Sequence, residues 1–187
     1  FPTRRSSDLL VYLTFIIKQI CADCQSKFPS EPLGYYWRDY EGEIPYDAVP
    51  GGTEKNSNPT YIGQAYIRIF ELLPATISEG SAIATTSARH KTKQTDKNIK
   101  ILCSHQPELL KWVSTTSTDR HLLTNCHLVV GGSERNQILH IGRVNYDGHT
   151  IIGKVFSYPP ALKGLWIPYN RREVKFNSYE ILTYNCK

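Results

Sequence analysis

Cysteine and histidine are the residues of this 187-residue chain best suited to metal, redox or acid–base chemistry, and their spacing argues against most of it. Cys21-x-x-Cys24 is half of a zinc site, but no second Cys/His pair stands at a structural zinc spacing, and Cys126 and His127 are adjacent, a poor geometry for two ligands on one ion. His90, His105, His121, His127, His140 and His149 fall in no catalytic constellation. There is no Gly-x-Ser-x-Gly elbow, no His-Glu-x-x-His and no phosphate loop. The chain is therefore expected not to be an enzyme and to need no cofactor. What remains for the cysteines is oxidation. Cleavage after Ala22 would remove Cys21 and leave Cys24, Cys103, Cys126 and Cys186, which read as two disulfides with three pairings open.

That cleavage is expected from the N-terminal pattern. Leu9 to Ile17 is an apolar run too short for a bilayer, which takes about 20 residues. It suits a secretory signal ending at Ala22, and so a secreted, extracellular protein. The chain contains no methionine, so a fragment or a processed product is expected, and Phe1 to Leu9 resembles translated adapter sequence. Residues 1–22 are thus set aside as a leader remnant plus a signal-peptide-like segment. The net charge of +5 is modest and fits a solvated surface, so no nucleic-acid partner is expected.

The elements that position any functional group come from a repeat. Gly51-Gly52 recurs as Gly131-Gly132, Tyr61-Ile62-Gly63 as His140-Ile141-Gly142, and Ile101-Leu102 as Ile181-Leu182, each about 80 residues later. Trp37 answers Trp112, and Ala48-Val49 answers Val129-Val130. Repeat one is placed at 35–104 and repeat two at 110–184. Residues 60–70, 138–146, 150–156, 165–169 and 180–184 are rich in β-formers, and Asp147-Gly148 is a hairpin signal. Gly-Gly is read as a tight turn. The Lys-rich stretch 81–98 is read as a long solvated hairpin or loop. Short strands between Gly, Asn and Pro turns give an all-β, sandwich- or prism-like domain.

Together these motifs resemble the DM-nine repeat, a lectin-like module also found in natterin-like proteins, over about residues 35–184. Copy one carries Trp37, Gly42-Glu43-Ile44-Pro45, Ala48-Val49-Pro50-Gly51-Gly52 and Tyr61-Ile62-Gly63. Copy two carries Trp112, Gly131-Gly132, Ile141-Gly142-Arg143, Gly153-Lys154-Val155, Pro168-Tyr169, Glu173 and Tyr179-Glu180-Ile181-Leu182. The resemblance implies two pseudo-symmetric, intertwined repeats that exchange strands. It implies binding of mannose-type glycans in innate recognition. The partners expected are those glycans and a second copy of the chain in a homodimer, with no membrane insertion. In the family an acid after the Gly-Gly pair and the lysine of a Gly-Lys pair line the sugar pocket. These positions match Glu134 and Lys154 in copy two and Glu54 in copy one, where Thr76 or a neighbour replaces the lysine. Arg143 of the Ile-Gly-Arg motif is counted with them.

The chemistry suits the residues. A carboxylate accepts from sugar hydroxyls and an ammonium donates to their lone pairs, as charge-assisted bonds. Tyr146, Tyr158 or Trp166 could pack on the C–H face of a pyranose. Trp37 and Trp112 are expected to anchor the core instead. The alternative for Glu134 and Lys154 is an ion pair without function, in a degenerate structural or protein-interaction module. Copy two lacks the Gly-x-Ile-Pro element and copy one lacks Gly-Lys, so at most one complete site is expected. One site cannot cross-link without oligomerisation.

Overall fold

β-Branched and aromatic residues alternate with polar ones in short runs, and the chain folds accordingly into strands. The computed structural model describes residues 34–186. Segment 1–22, with Cys21, and also Cys24 lie outside the described residues. Repeat one supplies β1 (Tyr35–Asp39), β2 (Pro50–Thr53), β3 (Pro59–Ile67), β4 (Glu71–Ser78), β5 (Ala84–Ala88), β6 (Lys91–Thr95) and β7 (Ile99–Ser104). Repeat two supplies β8 (Leu110–Thr116), β9 (His127–Leu128), β10 (Val130–Glu134), β11 (Gln137–Tyr146), β12 (His149–Phe156), β13 (Gly164–Tyr169), β14 (Arg172–Phe176) and β15 (Ser178–Tyr184). Among the described residues there is no α-helix.

The two repeats are intertwined, and the all-β, pseudo-symmetric architecture is present. Within each repeat the long hairpins β3–β4 and β11–β12 pair strand to strand. Between repeats, β2 pairs with β12 and β10 pairs with β4. These pairings close a circuit β2–β3–β4–β10–β11–β12. Hairpins β5–β6 and β13–β14 meet at their tips, where Thr92 N–H donates to the Arg171 carbonyl and Glu173 N–H donates to the His90 carbonyl, each at 3.2 Å. The path β4–β5–β6–β14–β13–β12–β11–β10 is therefore also closed. Asp147 and Gly148, both at positive φ, make the two-residue β11–β12 turn read from the sequence.

The central core lies between the repeats and draws on both. Val49, Ile62 and Leu102 meet Val129, Ile141, Ile152 and Leu182 there. Burying each such side chain contributes about 1.5–3 kcal/mol. Trp37 and Trp112 are half-buried and pack against the rim of this core rather than inside it.

Three expectations are corrected. The Gly-Gly pairs are not tight turns but lie within β2 and β10, each at a β-bulge. They permit the inter-repeat contact: a Cβ on Gly52 would sit 2.0 Å from the Thr150 carbonyl oxygen, and one on Gly132 2.0 Å from that of Leu72. Stretch 81–98 is not simply solvated. Its β5 strand buries Ala84, Thr86, Ser87 and Ala88. Finally, Cys126 bonds to Cys186, but Cys103 is a buried free thiol, so the two-disulfide reading fails at Cys103. Burial, with the Asp47 carboxylate beside it, pushes the Cys103 thiol up to about 11, which makes it a poor nucleophile.

Candidate functional site

Strand alternation sends Lys154 to the same side of β12 as Ile152 and Phe156, into a buried position. Its side chain is 2% exposed. An ammonium so placed needs partners, because a buried unpaired charge is costly. Lys154 Nζ donates to Glu134 Oε2 at 2.5 Å and to the Ser87 carbonyl at 2.8 Å, and lies 2.9 Å from Glu173 Oε1. Its three N–H groups are thereby all engaged. Glu173 is held further: Ser87 Oγ donates to its Oε1 at 3.0 Å and the His90 backbone N–H to its Oε2 at 2.9 Å.

The cluster is assembled from both repeats. Glu134, Lys154 and Glu173 come from β10, β12 and β14; Ser87 and His90 come from the β5–β6 hairpin of repeat one. Above the charged floor the walls are Arg89, His90, Arg135, Phe156, Leu162 and Trp166, around a cavity of about 50 Å³. Trp166 is fixed by its indole N–H, which donates to the Leu162 carbonyl at 2.7 Å.

The strand registers identify an equivalent pocket one pseudo-symmetry step away. Lys154 faces Ile141 as Thr76 faces Ile62. Trp166 pairs with Lys154 as Thr85 pairs with Thr76. Glu173 pairs with Pro168 as Thr92 pairs with Ser87. Glu54, Thr76, Thr85, Thr92, Asn170 and Arg171 accordingly line one cavity, of about 290 Å³. Ser78 Oγ donates to Glu54 Oε1 at 2.7 Å. The buried hydroxyls of Thr60 and Thr76, which also line it, have no hydrogen-bond partner among the described residues. Buried hydroxyls are normally satisfied, so water or a ligand is the partner this cavity calls for.

The sequence-derived residues therefore fall in three places. Glu134 and Lys154 converge. Glu54 lies in the equivalent pocket, with Thr76 at the lysine position. Arg143 joins neither and lines a third cavity beside Trp112. Of the aromatic candidates, Trp166 borders the Lys154 pocket, whereas Tyr146 packs edge-on against Tyr169 and Phe176, and Tyr158 is exposed. Sequence reasoning missed Ser87, His90 and the role of Glu173. The matching offsets of the β5–β6 and β13–β14 hairpins were a usable signal for them. No cluster of three His, Cys, Asp or Glu able to hold a metal occurs among the described residues.

The fold and the paired pockets define an all-β module of two interlocked repeats. A family model described as the DM9 repeat matches residues 68–176, more than half of the chain, and the chain belongs to that family. Among solved structures it is similar to the crystal structure of the nematode sperm cell motility protein MFP2B, with a TM-score of 0.61 and 16% identity. The match covers 88% of this chain and 51% of that one, so this chain spans about half the length of MFP2B. At that identity the likeness speaks for the fold. A search of curated proteins finds no match. Among the described residues no helix is long and apolar enough to cross a membrane.

Proposed function

We propose that this protein is a carbohydrate-recognition module that works by binding rather than by catalysis, secreted, and directed to mannose-type glycans in innate recognition. The observation that carries the reading is the convergence of Glu134 and Lys154, with Glu173, beneath a rim of His90, Arg89, Arg135 and Trp166. Carboxylate, cationic and aromatic groups around one opening are what a sugar's hydroxyls and C–H face require. The Glu54 pocket supports it too. Its glutamate and unpartnered hydroxyls suit a polyhydroxylated ligand, and its volume nears the lower end of ligand sites, about 300 Å³.

The test is a glycan array followed by calorimetry with methyl α-D-mannoside on the folded chain. The rim variants Arg135→Ala and Trp166→Ala should weaken binding through the Lys154 pocket without unfolding the protein. Silence across the array from a folded chain would sink the reading.

One observation favours a second reading, a structural or protein-interaction module that has lost sugar binding. The Lys154 ammonium has no N–H left to offer, and its pocket holds room for roughly one or two waters. On that reading the rim variants leave every glycan signal unchanged, and the chain's ligand is a protein recovered by pull-down.

A further inference from the structure

The roomiest of the three cavities, about 520 Å³, is not either of the paired pockets. It opens where β2 of repeat one lies beside β8, β11 and β15 of repeat two, and Trp112, Arg143, Glu180 and Asn145 line it. We propose that this cleft is a separate binding site for an uncharged pyranoside. The proposal does not depend on the Lys154 pocket binding anything.

Arg143 is pre-positioned. Its guanidinium lies 4.3 Å from the centroid of the Trp112 ring. Its Nε donates to Glu180 Oε2 at 2.7 Å and its Nη1 to the Gly51 carbonyl at 3.2 Å. A guanidinium has five N–H groups, so N–H donors remain for a ligand. Among the described residues no donor takes the second Glu180 oxygen, and the exposed Asn145 amide has no side-chain partner. Pro50, Leu110 and Leu182 supply an apolar wall.

The charges select the ligand. Arg143 and Glu180 neutralise each other, so an anion would meet the Glu180 carboxylate and a cation the Arg143 guanidinium. A purely apolar ligand would strand both groups without water. A hydroxyl donates and accepts at once: it can donate a hydrogen bond to Glu180 and accept one from Arg143. Adjacent ring hydroxyls beside a C–H face therefore match the polar pair beside its apolar wall. The volume lies within the range of small-molecule sites.

Repeat one shows that the cleft is a local construction rather than a by-product of the fold. At the positions equivalent to Arg143, Glu180, Asn145 and Leu110 stand Gln64, Lys100, Tyr66 and Tyr35. Gln64 Nε2 keeps the backbone contact, donating to the Gly131 carbonyl at 3.0 Å, but Gln64 is buried. Lys100 turns instead to Asp39 at 2.6 Å.

The test is a titration of the intact chain with methyl α-D-mannoside, methyl α-D-glucoside and methyl β-N-acetylglucosaminide, followed by the indole N–H signals of its tryptophans in 1H–15N spectra. Glucosamine and glucose 6-phosphate serve as the charged counterparts. Trp112→Phe and Trp166→Phe assign the signals. The Trp112 signal should move with at least one neutral glycoside, which should bind about tenfold more tightly than its charged counterpart. Arg143→Ala should abolish the movement, and Glu180→Gln, which keeps the shape, should weaken binding about fivefold or more. Movement of Trp166 alone would overturn the cleft and leave the Lys154 pocket standing. Movement of Trp112 alone would support the cleft and count against that pocket. A stationary Trp112 signal with all three glycosides, or equal binding of the charged sugars, would overturn the proposal.

Discussion

Two pockets occupy equivalent places in the two repeats, yet one is filled by charge and the other is left open. In repeat two the floor is Glu134, Lys154 and Glu173; at the same three positions the other pocket has Glu54, Thr76 and Thr92. Exchange of a lysine and a glutamate for two threonines removes a buried ammonium and one of its counter-charges together; the carboxylate that remains, Glu54, is half-exposed and accepts from the Ser78 hydroxyl. The cavity grows from about 50 to about 290 Å³. The scaffold tolerates either solution because the same backbone carries both. What differs is the task of the floor: in one pocket it ties together strands from both repeats, in the other it lines a roomier cavity with hydroxyls.

The largest effect that would break this comparison lies at Lys154. Lys154→Met strands Glu134 and Glu173 together in a buried site and should cost about 3–5 kcal/mol in denaturant unfolding. Thr76→Val at the equivalent position should change stability little, since the Thr76 hydroxyl has no partner to lose among the described residues. Equal losses at the two positions would mean that the triad is not what distinguishes the pockets.

A second asymmetry lies at the ends of the repeats. Cys126 and Cys186 join across 60 residues in repeat two, while Tyr46 and Gln106 stand at the matching positions of repeat one. Replacing both cysteines with serine should cost about 2–4 kcal/mol, read from the shift of the unfolding midpoint under oxidising conditions. A midpoint unmoved by the change would show that repeat two, like repeat one, holds its end without a crosslink.

Transplantation sharpens the comparison further. Thr76→Lys alone introduces an ammonium with only Glu54 beside it and should destabilise by about 1–3 kcal/mol. Adding Thr92→Glu should recover most of that loss, because the missing counter-charge is restored. If the double variant is no better than the single one, the equivalence of the two floors is wrong.

The smallest effect is in pH. His140 on β11 corresponds to Tyr61 on β3. Burial, helped by the positive charge of Arg120, holds the His140 imidazole below its ordinary value near 6.5. The unfolded chain then binds the proton more readily than the folded one. Stability from this group is complete above about pH 6.5 and falls as pH drops from there toward the lowered folded value. His140→Tyr should flatten that limb in unfolding curves recorded between pH 7.5 and 5. A limb unchanged by the substitution would assign it to other groups.

How much of this was legible in the sequence follows from what each residue must do. The glycine pairs, the tryptophans and the Ile-Leu pairs recur because backbone approach and core packing admit few substitutes; at Gly52 and Gly132 any side chain would collide with a carbonyl. The repeat architecture is therefore readable, even though a Gly-Gly pair by itself points to a turn and not to a bulge within a strand. Glu134 and Lys154 were readable because they sit beside such markers. Glu173 was readable as a motif residue but not its role, and Ser87 and His90 carried no direct signal, since they complete the site from a hairpin tip distant in sequence. The strand behind that tip, Ala84–Ala88, is buried through small and hydroxylated residues and so carries little hydrophobic signal beside its lysine-rich neighbour. Cysteine parity misled for a related reason: Cys103 is a core residue of β7, and counting thiols does not reveal which of them pack as small apolar side chains.

The meeting of the two hairpin tips, at Thr92 with Arg171 and Glu173 with His90, has a consequence for how the chain matures. Neither half can complete a pocket by itself, and the closing contacts join residues about 80 positions apart, the kind of long-range pairing that forms slowly. Each pocket is therefore complete only when both halves have docked. Any ligand held in either pocket would then act as a latch across the seam, raising the free energy of unfolding in proportion to the logarithm of its concentration once saturating.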